Sequence, residues 1–222
     1  MNGAIGMADQ QYRAKSTYSG AVAQGYDDKR FSTSFGRWID SKEKLSVTRA
    51  MEGIPKGSSV LDMPCGNGRI TEHLLELDYV VTGADISQDM IDHAPARIAQ
   101  HQRFAGYKLA DAENTKLPPA SYDCVSSIRF MGHLPRDVKV RVLNEMARVS
   151  RKHLVIAFYM TSFARSVKWL LKYRSLQSRN TTWYPITESD LARLFEECGL
   201  EVVKREPAFL VSDAITFQLR KK

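Results

Sequence analysis

From about residue 58 onward, short apolar runs alternate with longer stretches in which apolar positions recur every three or four residues. The short runs suit buried strands and the longer period suits helices with one buried face, so the chain reads as successive β-α-β units on a parallel sheet. The first predicted strand covers 59–64 and ends at Gly66-Asn67-Gly68, and a helix over 69–77 carries Ile70, Leu74 and Leu77 on one face. A second strand covers 79–85, after which Ser87 is placed to cap a helix running through Met90, Ile91 and Ile98. The third strand is 104–110. Pro118 and Pro119 break regular structure before a fourth strand at 122–128. A helix at 137–149 presents Val138, Val142, Leu143, Met146 and Val149, and a fifth strand follows at 153–158. Thr187 heads the last helix, which stops at Gly199. Residues 201–209 and 214–219 are consecutive strands with no helix between them, so they are expected to pair as an antiparallel hairpin. The pattern predicts an α/β fold: a seven-strand, mostly parallel sheet, helices on both faces and a C-terminal antiparallel hairpin.

The segment 1–57 is more polar and reads as helical, with Tyr18, Tyr26, Phe31, Phe35 and Trp38 as its apolar anchors. It is expected to form a lid or accessory layer preceding a domain over 58–222.

Composition narrows the class. A chain of 222 residues with 43% hydrophobic residues and only 13 Gly and 8 Pro is neither disordered nor collagen-like. No apolar run approaches the roughly 20 residues that span a bilayer, and the first ten residues lack a basic start followed by an apolar core. A cytoplasmic protein is the expectation. Cys65, Cys124 and Cys198 are widely spaced with no His at ligand spacing, so neither a disulfide framework nor a metal site is predicted.

Charge changes the picture more. The formal net charge is +7, which as a bulk number suggests a nucleic-acid or anionic-surface binder. Residues 146–187, however, contain eight basic side chains and no Asp or Glu, while the rest of the chain nets −1. A nearly neutral domain therefore carries one basic segment.

The chemistry concentrates in the loop after the first strand. Asp62-Met-Pro-Cys-Gly-Asn-Gly68 places glycines between a buried strand and a helix, where the backbone can approach a ligand and adopt positive φ. A dinucleotide fingerprint needs a third glycine at position 71, which is Thr71. The loop instead resembles the D-x-x-C-G-x-G motif of class I S-adenosylmethionine (SAM)-dependent methyltransferases, closest to their small-molecule, ubiquinone-biosynthesis-like branch. Asp85 at the end of the second strand, Ala110-Asp-Ala-Glu113 with Leu117-Pro118, and Ser121-Tyr-Asp-Cys-Val125 leading to Arg129-Phe-Met-Gly-His133-Leu134 resemble that family's later motifs in the correct order.

The resemblance implies a Rossmann-like fold and SAM as cofactor, with S-adenosylhomocysteine (SAH) as product. It implies a cofactor site formed by Asp62, Cys65, Gly66, Gly68, Asp85, Ile86, Asp111, Ala112 and Arg129, with Tyr26 folding over the cofactor. In that reading Asp85 accepts from the ribose hydroxyls, Asp111 and the Ala112 amide serve the adenine, and Asp62 holds the methionine amino group. Simpler roles stand beside these: a helix cap for Asp85, a turn former in Asp111, an anchor for Tyr26, and loop packing for Cys65.

Methyl transfer from a sulfonium is an in-line displacement that chiefly needs alignment and water exclusion, with a general base for an acid or hydroxyl acceptor. His133, following the fourth strand, is the candidate base, with a structural role as the alternative. The basic segment occupies the place where such methyltransferases insert their acceptor-recognition region. Arg165, Lys168 and Lys172 are its candidate acceptor contacts, against an anionic acceptor or the anionic inner face of a membrane, with a solvated lid helix as the plain alternative.

Three functions follow as expectations. The first is methylation of a small or lipid-linked, anionic acceptor such as a quinone precursor or a glycolipid or polysaccharide intermediate, with oxygen favoured as the methylated atom. The second is RNA methylation, disfavoured because the fourth strand ends Ser127-Ile-Arg-Phe130 and not in an N/D-P-P-Y/F sequence. The third is a non-catalytic SAM-binding scaffold.

Overall fold

The structure, a computed structural model, describes residues 32–161, 184–209 and 212–222. Tyr18, Tyr26 and Phe31, and Arg165, Lys168 and Lys172, lie outside the described residues. Helix α1 (Ser34–Met51) comes first. It is followed by β1 (Ser59–Asp62), α2 (Arg69–Glu76), β2 (Val80–Asp85), α3 (Gln88–Asp92), α4 (Ala96–Ala99) and β3 (Phe104–Leu109). Then come β4 (Tyr122–Ser127), α5 (Arg136–Val149), β5 (Ser150–Tyr159), α6 (Glu188–Glu197), β6 (Leu200–Pro207) and β7 (Ala214–Lys221).

The seven strands form one sheet in the order β3-β2-β1-β4-β5-β7-β6. Strands β1 to β5 are mutually parallel, and β7 runs antiparallel to both β5 and β6. The closing hairpin is therefore present, with its second strand inserted between β5 and its first. Because β1 lies between β2 and β4, the crossovers leave β1 in opposite directions, and the crevice at the carboxyl ends of β1 and β4 is the place where such sheets bind ligands.

Alternation along the strands builds two cores. Val60, Val81 and Val155 face Val47, Ala50, Met51, Ile70 and Leu74 on α1 and α2. Leu61, Val125, Leu154 and Phe158 face Val142, Met146, Leu194 and Phe195 on α5 and α6. Each such fully buried aliphatic side chain contributes about 1.5–3 kcal/mol.

Two expectations differ from the structure. The helix after Ser87 is broken into α3 and α4, because Pro95 stands at the start of α4 and cannot continue the hydrogen-bond ladder. The fully buried apolar contacts of α1 come from Val47, Ala50 and Met51, whereas Phe35 is 71% exposed and stacks on Trp38, which in turn packs on Phe209. The caps agree with the pattern: Met90 N–H donates to Ser87 Oγ (3.3 Å), and Asp190 N–H donates to Thr187 Oγ1 (3.2 Å). Gly199 ends α6 with φ +63°.

Candidate cofactor site

The loop between β1 and α2 is held against the ends of its neighbours. Met63 N–H donates to Ser126 O (2.9 Å) and Cys65 N–H donates to Ala84 O (2.8 Å), tying the loop to β4 and β2. Gly66 and Gly68 take φ of +56° and +90°, conformations that cost any other residue strain. A β-carbon at Gly68 would lie 2.5 Å from Ile98 Cδ1, so beyond the strain of its backbone angle a side chain here would have to push the tip of Ile98 aside.

Two buried carboxylates converge on this loop. Asp62 ends β1 at 1% exposure, and its Oδ2 accepts from Thr71 Oγ1 at 2.8 Å. Burial pushes its carboxyl up to about 7, against the opposing pull of the Thr71 hydroxyl and the Arg69 charge. Asp85 ends β2; its Oδ2 accepts from Gly66 N–H (2.8 Å) and its Oδ1 from Ser87 N–H (2.9 Å). Burial raises its carboxyl too, opposed by the backbone N–H groups of Ser87 and Gly66. Cys65, buried between them, has its thiol pushed well up by burial and by the two aspartates, which suits loop packing and not nucleophilic attack.

The other residues read from the sequence fall along the same sheet edge. Ile86 follows β2 and is 40% exposed. Asp111 follows β3, where its Oδ1 accepts from Glu113 N–H (2.9 Å) in a local turn, and Ala112 is buried beside it. His133 lies in a single 3₁₀ turn, Met131–His133, just beyond β4. Arg129 follows β4 with φ +62°, and its Nε donates to Glu43 Oε2 at 2.6 Å. Thus Cys65, Gly66, Gly68 and Asp85 are joined by hydrogen bonds, Asp62 is held beside them by Thr71, and Ile86, Asp111, Ala112 and His133 line up along the same edge on neighbouring loops.

Two participants escaped the sequence reading. Thr71, whose presence excluded a dinucleotide fingerprint, is fully buried and holds Asp62. Glu43, on α1, bonds both Arg129 and Arg69, the first residue of α2, with Arg69 Nη2 donating at 2.6 Å. The acidic pair Asp40 and Glu43, three residues apart on one helix face, was the available signal for the second.

This arrangement fits SAM. Its ammonium and ribose hydroxyls are donors, and the loop offers two buried carboxylates as acceptors. The Oγ atom of Ser127, buried at the end of β4 without a hydrogen-bond partner, adds further polar capacity. Among the described residues no cluster of His, Cys, Asp or Glu could hold a metal ion.

Comparison with known proteins gives the same picture. A family model described as "Methyltransferase domain" matches residues 60–153, which take in the glycine loop, β1 to β4 and the first residues of β5. The ubiquinone biosynthesis O-methyltransferase of Coxiella burnetii (strain RSA 493 / Nine Mile phase I) is 32% identical over 80 residues, 36% of this chain and 34% of that relative. The chain thus spans about a third of that relative's length in the match. The enzyme of the same description from Thiobacillus denitrificans (strain ATCC 25259 / T1) is 26% identical over 174 residues, 74% of this chain and 69% of its own. These likenesses support a SAM-dependent methyltransferase domain over residues 60–153. In the fold, magnesium protoporphyrin IX methyltransferase from Synechocystis PCC 6803 with bound SAH superposes with a TM-score of 0.66 at 16% identity, covering 90% of this chain and 98% of that one. The PH0226 protein from Pyrococcus horikoshii OT3 also gives 0.66, at 19% identity over 82% of this chain and 90% of its own. The Rossmann-like methyltransferase fold is therefore shared where little sequence is. Among the described residues no helix is long and apolar enough to cross a membrane.

Proposed function

We propose that this protein transfers the methyl group of SAM to a small or lipid-linked, anionic acceptor, with oxygen as the methylated atom. The observation that supports the reading lies at the carboxyl ends of β1 and β2: a positive-φ glycine loop held by buried Asp85, with a second buried carboxylate, Asp62, held beside it by Thr71. Bound SAM would supply an activated methyl on a sulfonium, so the protein's work is to bind, orient and exclude water.

In this reading Asp85 accepts from the ribose hydroxyls, Asp62 from the ammonium, and the loop after β3, with Asp111 and Ala112, meets the adenine. Tyr26 closes over the cofactor. His133, on the turn after β4 at the same sheet edge, accepts the acceptor's hydroxyl proton at a ring nitrogen. Arg165, Lys168 and Lys172 in the basic segment meet the acceptor's negative charge or an anionic membrane surface, a reading supported by eight basic and no acidic residues over 146–187. The ubiquinone biosynthesis relatives support a phenolic quinone precursor as the acceptor class.

Isothermal titration with SAH tests the cofactor assignment: micromolar binding is expected, and no heat and no thermal shift with SAM or SAH would end it. Turnover with labelled SAM and phenolic acceptors separates an enzyme from a scaffold. His133→Asn should lower turnover at least tenfold while SAH affinity stays within twofold, and equal loss of both would return His133 to a structural role.

A further inference from the structure

Glu43 lies on α1, outside the matched family region, yet it is 4% exposed and its Oε2 accepts from two guanidinium groups at 2.6 Å each. One belongs to Arg69, which directly follows Gly68 and opens α2; the other belongs to Arg129, two residues beyond β4. Asp40, one helical turn before Glu43, takes a second nitrogen of Arg69, with Nη1 donating to Oδ1 at 2.5 Å. These two arginines sit on the loops that leave β1 and β4, the adjacent strands that flank the ligand crevice, where Asp62 pairs with Ser126. Arg129 holds a left-handed φ of +62°, which for a non-glycine residue persists only where its surroundings impose it.

Burying such charges is costly, and apolar residues of similar size would hold α1 to the sheet at least as well. Stability alone does not account for the cluster, whereas a need to fix two loops relative to one another does. We propose that Glu43 is a positioning residue of the cofactor site: by bonding Arg69 and Arg129 at once, it sets the spacing between the glycine loop and the loop after β4, and so the width of the crevice that receives SAM. This rests on the SAM-binding reading above and makes α1 part of the site.

The test is SAH affinity by calorimetry, alongside melting without ligand, for wild type, Glu43→Gln, Glu43→Asp, Asp40→Asn, and Glu43→Gln combined with Arg129→Gln. Glu43→Gln should weaken SAH at least tenfold at a temperature where circular dichroism shows it folded. Asp40→Asn, which leaves the two bonds to Glu43 intact, should stay within twofold. Adding Arg129→Gln to Glu43→Gln should cost less than a further twofold, because the loop is already released. A folded Glu43→Gln that binds SAH within twofold of wild type overturns the proposal, as does a drop in melting temperature with no change in affinity. If Glu43→Gln does not fold, Glu43→Asp decides: it keeps the charge but cannot span both arginines, so at least fivefold weaker binding is expected and unchanged binding overturns the proposal. Failure of the wild type to bind SAH would count against the SAM reading and not against this inference.

Discussion

Asp85 Oδ2 accepts a hydrogen bond from Gly66 N–H at 2.8 Å, so the acid at the end of β2 already grips the glycine loop before any ligand arrives. It serves the loop and the proposed ribose contact with the same carboxylate, which has lone pairs for both. Asp85→Ala should therefore show two losses. Removing the bonds from Gly66 and Ser87 should cost about 2 kcal/mol of stability, a fall of roughly 4–8 °C in melting temperature. SAH affinity should fall at least tenfold in addition. Scanning calorimetry with and without SAH checks both, and loss of affinity without loss of stability would mean that the loop bond is idle.

Asp62 predicts a pH dependence. An ordinary aspartate of value 3.8 is pushed up to about 7 by burial. The folded state then keeps a proton that the unfolded state releases, so this group lowers stability as pH rises from about 4 to 7 and not beyond. If the cofactor ammonium seats on ionised Asp62, binding below pH 7 must expel that proton, and affinity should rise about tenfold per pH unit before levelling near pH 7. Asp85 is shifted in the same direction, so Asp62→Asn isolates the effect by flattening its share of both profiles. An unchanged SAH affinity profile in Asp62→Asn would remove Asp62 from the ammonium site.

Gly68→Ala combines two strains, a φ of +90° and a β-carbon 2.5 Å from Ile98 Cδ1. The expected cost is about 2–4 kcal/mol in urea unfolding. Ile98→Val, which lacks that terminal carbon, should return the steric part and leave the backbone part, so the double variant should recover partially.

Glu145 on α5 holds the loop beyond Asp111, accepting from Thr115 N–H (2.8 Å) and Thr115 Oγ1 (2.6 Å). The Arg148 guanidinium, helped by these bonds, holds its carboxyl down at about 2. A lowered acid contributes stability above its ordinary value of 4.5 that is lost as pH falls toward 2. Urea midpoints at pH 3 and pH 7 should therefore differ less in Glu145→Gln than in wild type, and an equal difference would show that the pair is solvent-screened.

What the sequence made legible was local. The turn at Gly66 and Gly68, the caps at Ser87 and Thr187 and the stop at Gly199 each depend on residues within a few positions of one another, and each stands where the pattern put it. Asp62 and Asp85 were readable because strand ends place them at one sheet edge. The break at Pro95 was visible but outweighed by the apolar spacing from Met90 to Ile98, which runs on through it. Glu43 and Arg129 were not readable as a pair. They are 86 residues apart, no periodicity links them, and only the docking of α1 on β5, β6 and β7 brings the Glu43 side chain to Arg129.

The join between β5 and α6 has a wider consequence. Met160 bridges Ile186, Thr161 N–H donates to Ile186 O (2.9 Å), and Tyr184 N–H donates to Gly132 O (2.7 Å). Buried Lys139 adds a clasp on the return side, donating to Leu134 O (2.6 Å) and Tyr184 O (2.8 Å). The chain thus departs at 161 and comes back at 184 through a single fastened doorway in the sheet edge. The bonds on both sides of this join fix where the chain leaves and rejoins the sheet by contacts that lie wholly among the described residues. In the reading proposed above, Arg165, Lys168 and Lys172 fall between those two fixed points, so acceptor contacts and the methyl-donor site would be separable parts of one chain.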